Sequence, residues 1–343
     1  MTTIRWGIIG CGDVTEVKSG PGFQKARSSA LVAVMRRDAS KAADYARRHG
    51  VPQWYNDADK LIADSQVNAI YIATPPGTHE MYAMKVCAAG KPCYVEKPMT
   101  RNAAEAQRMV NTFAAARLPL FVAYYRRRLP RFLIAKEIID GRMLGRLRSF
   151  SYHYADPQML KKIDPVPWRL QAEHAGAGLF LDLGSHALDV LDYLLDSLGE
   201  VRGEAINISG NYQVEDHIAL TFKSTTGASG AAEFNFASPV SADEFVFKGD
   251  RAELRFPCFA RGPVVIQYTN GIREEFDPPS PPHVAQPLIQ TIVDDLLHTP
   301  GIPKCPSTGI SGLRTQTVMD QALQSYYGSR DDGFWRKPWP KNR

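Results

Sequence analysis

Neither a long apolar run nor a paired-cysteine pattern occurs in this chain of 343 residues. No stretch approaches the roughly 20 consecutive apolar residues that a membrane-spanning helix needs. The start, Met-Thr-Thr-Ile-Arg-Trp-Gly, enters a strand-like apolar run too soon and too briefly for a secretory signal. A cytoplasmic protein without membrane partners is therefore expected. The five cysteines (Cys11, Cys87, Cys93, Cys258, Cys305) are scattered and form no Cys-x-x-Cys pair. That excludes a zinc knuckle or a disulfide frame and fits reduced thiols. Charge of one sign is also scarce, with 41 Lys and Arg against 36 Asp and Glu and a net charge of +5. The densest basic run, "YYRRRLPR" (124–131), is interleaved with aromatics, yet no nucleic-acid-binding motif accompanies it. It reads as an anion or substrate contact, with Tyr124 and Arg127 as its candidates, or as a solvated helix face. Internal repeats are absent too.

What is there is ordinary globular material, 44% hydrophobic and 22% charged, and the length asks for two domains. From Arg5 to Val122, strand-length apolar runs alternate with helical segments: "WGIIG", "LVAVM", "ASKAADYARRHG", "AIYIATPP", "HEMYAMKVCAAG", "PCYVE", "AAEAQRMVNTFAAA" and "LPLFVAY". That alternation predicts a parallel sheet with right-handed crossovers. Beyond about residue 145 the chain turns to consecutive strand-like segments, from "RLRSFSYHYA" to "VVIQYTNGIREEF", with Asn270-Gly271 as a hairpin turn. A helix over 185–195 is inserted early and another over 284–298 late, after the loop "DPPSPPH"; the tail after Tyr327 reads as extended. The fold class is α/β followed by α+β. Residues 1–124 form a Rossmann doubly wound domain, and residues 125–343 form a substrate-binding and oligomerisation domain with an open, mostly antiparallel sheet.

Gly10-Cys11-Gly12 follows the first strand, where glycines allow a tight turn and close approach of a pyrophosphate, with Asp13 and Val14 opening the next helix. The third glycine of the dinucleotide pattern is replaced by Thr15, and Gly20-Pro21-Gly22 breaks the helix early. After the second strand stands Met35-Arg36-Arg37-Asp38. Two guanidiniums suit a ribose 2′-phosphate through bidentate hydrogen bonds, which favours NADP, although Asp38 lies close enough to hold the hydroxyl of NAD. In "YVEKPMT" (94–100) a strand ends on Glu96 and Lys97, and Pro98 confines Lys97 to an extended backbone at the ligand end of the sheet. In "GAGLFLDLGSHALD" (176–189), Asp182 and His186 stand one helical turn apart. A carboxylate beside an imidazole suits acid–base work near neutral pH. His186 as a plain helix cap and a metal site of Asp182, His186 and Asp189 compete with this; without a Cys/His cluster no metal is expected. His79 reads as a helix-start residue near a cofactor cleft, and His49, His217 and His298 as structural or surface residues.

Together these segments resemble the glucose–fructose oxidoreductase/inositol dehydrogenase family, Gfo/Idh/MocA. The resemblance rests on "GIIGCG", "IATPPGTHEMYAMKVCAAGKPCYVEKP", "GAGLFLDLGSHALDVLDYLL" and the strand-rich second half. Within the family, "VPWRL" and "CPSTGISGLRTQTVMDQAL" are similar to sugar-ketone reductases such as the 1,5-anhydrofructose reductases. The resemblance implies that Lys97 contacts nicotinamide and a substrate oxygen, that His186 donates or accepts the proton, and that Asp182 orients substrate and lysine. It implies further that Gly10 and Gly12 form the phosphate loop, that Thr74, Pro75 and His79 lie beneath the nicotinamide half, and that Glu96 faces the cofactor. Trp168 and Arg169 match a pair that closes over the cofactor. Thr15, the segment Lys18-Ser19-Gly20-Pro21, and Gly176-Ala177-Gly178 in place of a triple glycine depart from the pattern.

The expectation is an NADP-dependent (or NAD-dependent) oxidoreductase moving hydride between nicotinamide and a carbinol or ketone of a sugar, sugar derivative or cyclic polyol, as a homodimer or homotetramer. A redox-assisted glycoside-cleaving enzyme and a non-catalytic NADP-binding regulator are the alternatives.

Overall fold

The structure, a computed structural model, describes residues 2–330 and 334. The expected extended tail after Tyr327 therefore falls largely outside the described residues. In chain order, β1 (Ile4–Ile9) is followed by α1 (Asp13–Val17), α2 (Gly20–Lys25), β2 (Ser29–Met35), α3 (Ala39–His49), β3 (Gln53–Tyr55) and α4 (Ala58–Ala63). Next come β4 (Ala69–Ile72), α5 (His79–Ala88), β5 (Cys93–Val95), α6 (Ala103–Ala115), β6 (Leu120–Val122), α7 (Pro130–Asp140) and β7 (Leu147–Ala155). Then follow α8 (Ala172–Ala175), α9 (Ser185–Leu195), β8 (Leu198–Ile206), β9 (His217–Ser224), β10 (Ser229–Asn235), β11 (Ala242–Gly249) and β12 (Ala252–Phe256). The chain continues through β13 (Val264–Tyr268), β14 (Arg273–Phe276), α10 (Gln286–Leu296) and α11 (Gly309–Tyr327).

Two compact units result. The first comprises residues up to Thr100, Ala104–Leu129 and Pro281–Leu313; the second comprises Arg101–Ala103, Pro130–Ser280 and the described residues from Arg314 on. The first unit holds a six-stranded sheet in the order β3-β2-β1-β4-β5-β6, with every pairing parallel. Alternation along each strand sends successive side chains to opposite faces. Ile8, Tyr71, Tyr94 and Phe121 pack on one face with α2, α3 and α10, while Ile9, Ile70, Ile72, Val95 and Val122 pack on the other with α4, α5 and α6. Burial on both faces explains why these strands read as unbroken apolar runs. The short strand β3 and helix α4 are not anticipated by the sequence. Gln53 and Trp54 are exposed in an edge strand of three residues, so no apolar run announces it.

The packing is not linear in sequence. Residues 281–313, which a linear boundary at Tyr124 assigns to the second domain, return to the first unit. Leu288, Ile289, Ile292 and Val293 of α10 join the core around Trp6 and Phe23. The segment before α11 covers the free edge of β6, where Ser307 Oγ donates to Val122 O at 2.7 Å and Val122 N–H donates to Ser307 O at 3.3 Å.

The second unit holds eight strands in the order β14-β13-β12-β11-β7-β10-β9-β8, antiparallel except for the β7–β10 pair. Its buried face is aromatic: Tyr152 and Phe245 lie 4.2 Å apart between ring centroids, and Phe150 and Phe222 5.4 Å. Asn270-Gly271 makes the expected hairpin turn, with Gly271 at φ +91°. Both parts of the expected fold class are therefore present.

The unusual Lys18-Ser19-Gly20-Pro21 segment acquires a physical reason. Helix α1 stops at Val17, and Gly20-Pro21-Gly22 opens α2 in place of a loop. A Cβ at Gly20 would collide with the Thr15 carbonyl and lie 2.5 Å from the Tyr45 hydroxyl. Gly20→Ala is expected to destabilise the chain by about 1–3 kcal/mol through overpacking. Gly199→Ala, where nothing lies within 4 Å of the added carbon, should be close to neutral. Paired urea titrations check this; equal midpoints for the two variants would contradict it.

Candidate active site

Four strands of the first unit end on the residues that matter. Beyond β1, Gly10 adopts φ +91°, and a Cβ there would lie 2.7 Å from Thr74 Cγ2. The Gly10 and Cys11 N–H groups donate to Met35 O at 2.8 and 3.1 Å, which stitches the loop to the end of β2. Thr15 closes it: the Gly12 N–H donates to Thr15 Oγ1 at 3.0 Å, and that hydroxyl donates to Gly12 O at 2.8 Å. Thr15 thus replaces the third glycine without opening the loop. A Cβ at Gly12 would meet no atom nearer than Arg36 Nη1 at 3.9 Å. Space therefore remains beside Gly12, at the first turn of α1 with Asp13 and Val14, where backbone N–H groups have no intrahelical acceptor. That open cradle fits a dinucleotide phosphate.

Beyond β2, Arg36 leans onto this loop, its Nη1 donating to Cys11 O at 3.4 Å, while Arg37 is exposed. Asp38 is the N-cap of α3. It accepts from Lys41 N–H at 3.2 Å and Ser40 Oγ at 2.7 Å, and these bonds, the serine first, hold its carboxyl below the ordinary range. The acid that competes for a ribose hydroxyl in the sequence is thus engaged in capping.

Beyond β4, Thr78 Oγ1 donates to Thr74 Oγ1 at 2.8 Å and to Pro75 O at 3.0 Å. His79 is fully buried, with Nε2 2.6 Å from Thr74 O and Nδ1 3.2 Å from Met99 O. The histidine therefore ties the Thr74 loop to the strand end that follows Lys97. Burial outweighs these carbonyls and lowers its pKa to about 4. Beyond β5, Glu96 accepts from the Lys97 N–H at 3.0 Å and from the buried Tyr71 hydroxyl. Burial raises the Glu96 carboxyl despite the Lys97 charge beside it. Lys97 is half-buried and joined to Pro98 by a cis peptide bond.

The basic run is largely buried. Tyr124 is fully buried, and Arg126 and Arg127 are only 7% and 3% exposed. Arg127 Nη1 donates to Pro306 O at 2.9 Å, and Arg126 packs 5.1 Å over the Tyr125 ring. This is no solvated face, and Tyr124 and Arg127 keep little surface for a ligand.

In the second unit, Phe180–Gly184 forms a π-helical turn directly before α9. Asp182 therefore sits on an i→i+5 turn and His186 on the α-helix, so the simple one-turn relation expected between them is altered. Arg169 Nε lies 3.2 Å from Asp182 Oδ2, with its guanidinium 4.5 Å over the Trp168 ring. The Trp-Arg pair and Asp182 thus form one cluster. His186 is 4% exposed, and its ring meets Phe259 edge-on at 6.1 Å. Phe259 had no local sequence signal. Asp243, far from it in sequence, fixes its loop by accepting the N–H groups of Cys258, Phe259 and Ala260 at 2.9, 2.6 and 2.6 Å. Tyr154 also meets Phe259, at 5.3 Å between ring centroids, and its hydroxyl donates to Asp156. Lys97 belongs to the first unit, Asp182 and His186 to the second. Among the described residues no three His, Cys, Asp or Glu side chains cluster as a metal site, and no helix is long and apolar enough to cross a membrane.

Comparison with known proteins bears on this arrangement. Residues 4–124 match the description "Oxidoreductase family, NAD-binding Rossmann fold", and residues 132–255 match "GFO/IDH/MocA C-terminal domain". Oxidoreductase P35 of Formosa agariphila is 37% identical over 84% of this chain and 90% of its own. The trans-1,2-dihydrobenzene-1,2-diol dehydrogenase of Sus scrofa is 29% identical over 81% of each. The solved structure of a levoglucosan dehydrogenase in complex with NADH and L-sorbose superposes with a TM-score of 0.85 at 20% identity, over 95% of this chain and 97% of that one, a likeness of fold.

Two buried groups give opposite pH dependences. His79 has a folded pKa near 4 against an ordinary 6.5, so its stability contribution is lost as pH falls from 6.5 towards 4. Burial raises Glu215 from 4.5 to about 7, so its contribution is lost as pH rises across that window. The destabilisation caused by His79→Gln should therefore shrink on acidification, and Glu215→Gln should gain on the wild type as pH rises. Urea midpoints of the three proteins across this range check both signs; parallel profiles would contradict them.

Proposed function

The chain belongs to the GFO/IDH/MocA oxidoreductase family, and on that premise we propose that it interconverts a ring carbinol and the corresponding ketone of a neutral sugar or cyclic polyol. The observation that carries this reading is Lys97 at the carboxyl end of β5, on a backbone held by the half-buried Glu96, itself bonded to the buried Tyr71 hydroxyl. Ligands of a doubly wound sheet bind at those strand ends. A nicotinamide cofactor supplies or accepts the hydride when bound. Gly10, Gly12, Asp13 and Val14 would hold its phosphates, Thr74 and Pro75 its nicotinamide half, and Trp168 and Arg169 would be further cofactor contacts. His79 acts through the Thr74 loop that it ties.

In the oxidative direction His186 takes the hydroxyl proton on a ring nitrogen, and in reduction it returns that proton to the oxygen. Lys97 places a fixed ammonium beside the same oxygen, which favours the charge that develops there over the neutral alcohol. Asp182 aligns hydroxyl and ammonium. Phe259 and Tyr154 offer an apolar ring face, and the Asp156–Gln158 pair beyond them offers hydrogen-bonding tips, a combination suited to a polyhydroxylated ring. The cyclic diol in the name of the Sus scrofa relative is a ring carbinol of the same kind. A cytoplasmic homodimer or homotetramer is part of the reading. Its interface is the exposed face of the eight-stranded sheet, where Ser151, Ala219, Thr221 and Ala231 leave a flat surface; light scattering tests it.

Lys97→Met and His186→Ala should each lower kcat roughly 100- to 10,000-fold while cofactor binding survives. Steady-state assays with glucose, inositols, 1,5-anhydrofructose and levoglucosan, beside lactate and malate as acid controls, check it. Near-normal turnover in His186→Ala, or a simple hydroxy acid outperforming every neutral ring, would overturn the reading.

The cofactor is NADP in this reading, because Arg36 and Arg37 stand where a 2′-phosphate would lie and Asp38 is engaged in capping α3. NADP should bind more tightly than NAD, and Arg36→Asp should narrow or invert the gap. Fluorescence titrations at fixed salt decide this; equal wild-type affinities would contradict it.

A further inference from the structure

The turn Gly176-Ala177-Gly178 precedes Asp182 closely in the chain and has no room to spare. Gly176 adopts φ +95°, and a Cβ there would lie 2.8 Å from both the Cα and the carbonyl oxygen of Arg101. A Cβ at Gly178 would lie 2.6 Å from Glu215 O. Two buried charged side chains grip this turn from opposite sides. Glu215, fully buried, accepts the Gly178 N–H on both carboxyl oxygens at 3.0 Å each and also accepts the Tyr327 hydroxyl. Arg330, 6% exposed, donates from Nη1 to Gly176 O at 2.5 Å and from Nη2 to Asp320. Its guanidinium lies 5.6 Å from the centre of the Tyr327 ring.

The same hub reaches residues that follow Lys97 closely in the chain. Asn102 Nδ2 donates to Arg330 O at 2.5 Å, Ala103 N–H donates to Asp320 Oδ2 at 2.7 Å, and Arg101 Nη1 donates to Glu173 O at 3.2 Å. A buried ionic network of this kind is a poor way to gain stability, because desolvating the charges offsets their attraction. What it does supply is geometry, since a guanidinium fork and a bidentate carboxyl fix the backbone they hold. Fixing is what this segment needs. A π turn is a rare and marginal conformation, and nothing in "GAGLFLDLGS" selects it locally.

We propose that Glu215 and Arg330, braced by Tyr327 and Asp320, are positioning residues for catalysis: their clamp on the Gly176–Gly178 turn sets the place of Asp182 and His186. The proposal deepens the reading under Proposed function and rests on its assignment of Asp182 and His186. Burial raises the Glu215 carboxyl to about 7. A neutral acceptor therefore serves the clamp as well, and Glu215→Gln is the conservative variant.

Backbone amide exchange on the full chain, read by mass spectrometry, tests the clamp without any substrate, and steady-state kinetics on the same proteins tests its consequence. In Glu215→Leu and Arg330→Met, exchange across 176–182 should rise about tenfold or more, while peptides of β12 and of the first unit stay as in the wild type. Turnover should fall about 10- to 100-fold, as for a misplaced catalytic group, with NADP affinity unchanged. Glu215→Gln should restore both. If the leucine variant fails to fold, Tyr327→Phe and Arg330→Lys provide milder lesions with the same expected local signature. Unchanged exchange at 176–182, exchange rising throughout the second unit, or a loosened turn with undiminished kcat would each overturn the proposal. Should the wild type turn over no ring substrate, the functional reading fails on its own, and the exchange measurement still decides the clamp.

Discussion

A parallel sheet covered on both faces has no side-chain surface left for chemistry, and this constraint governs the first unit. Its strands are apolar because both faces are buried, so polar work is displaced to the strand ends. Gly10, Arg36, Thr74 and Lys97 follow β1, β2, β4 and β5 respectively. The hydrogen bonds around them serve the same end: Gly10 and Cys11 are tied to Met35, His79 joins the Thr74 loop to Met99, and Glu96 holds the Lys97 N–H. The first two staple a neighbouring strand end to the next, and the third fixes the end of β5 itself.

Local pattern made much of this legible. The strand–helix alternation, the Asn270-Gly271 hairpin and helix α9 all depend on residues close in sequence, and the sequence shows all three. The charged pair after β5 was legible for the same reason, since strand end and proline lie together. Where partners are distant, sequence was silent. The return of α10 to the first unit depends on its contact with the core around Phe23. Composition does not reveal that Arg127 of the basic run is buried and reaches a carbonyl from the returning segment.

The second unit extends that lesson to the segment around Asp182 and His186. Asp182 and His186 pair by spacing, yet Asp182 lies within a π turn and the glycine turn before it is held from outside. Phe259 meets His186 because Asp243 gathers three N–H groups of its loop. The Gly176–Gly178 turn is gripped by residues from a strand connection and from beyond α11. Ala177, where the family pattern has glycine, is buried without strain, whereas both flanking glycines stand at close backbone contacts. The departure from the triple glycine therefore falls where a methyl group fits.

The central claim is that hydrogen leaves a ring carbinol carbon under the joint control of Lys97 and His186. Its most direct test uses a cyclic polyol or sugar deuterated at the oxidised carbon, with oxidised NADP, and mass analysis of the recovered cofactor and product. The account predicts one deuterium transferred to the cofactor per ketone formed, a primary isotope effect on turnover, and loss of both in Lys97→Met. Turnover that leaves the recovered cofactor unlabelled, with no ketone released, would contradict it.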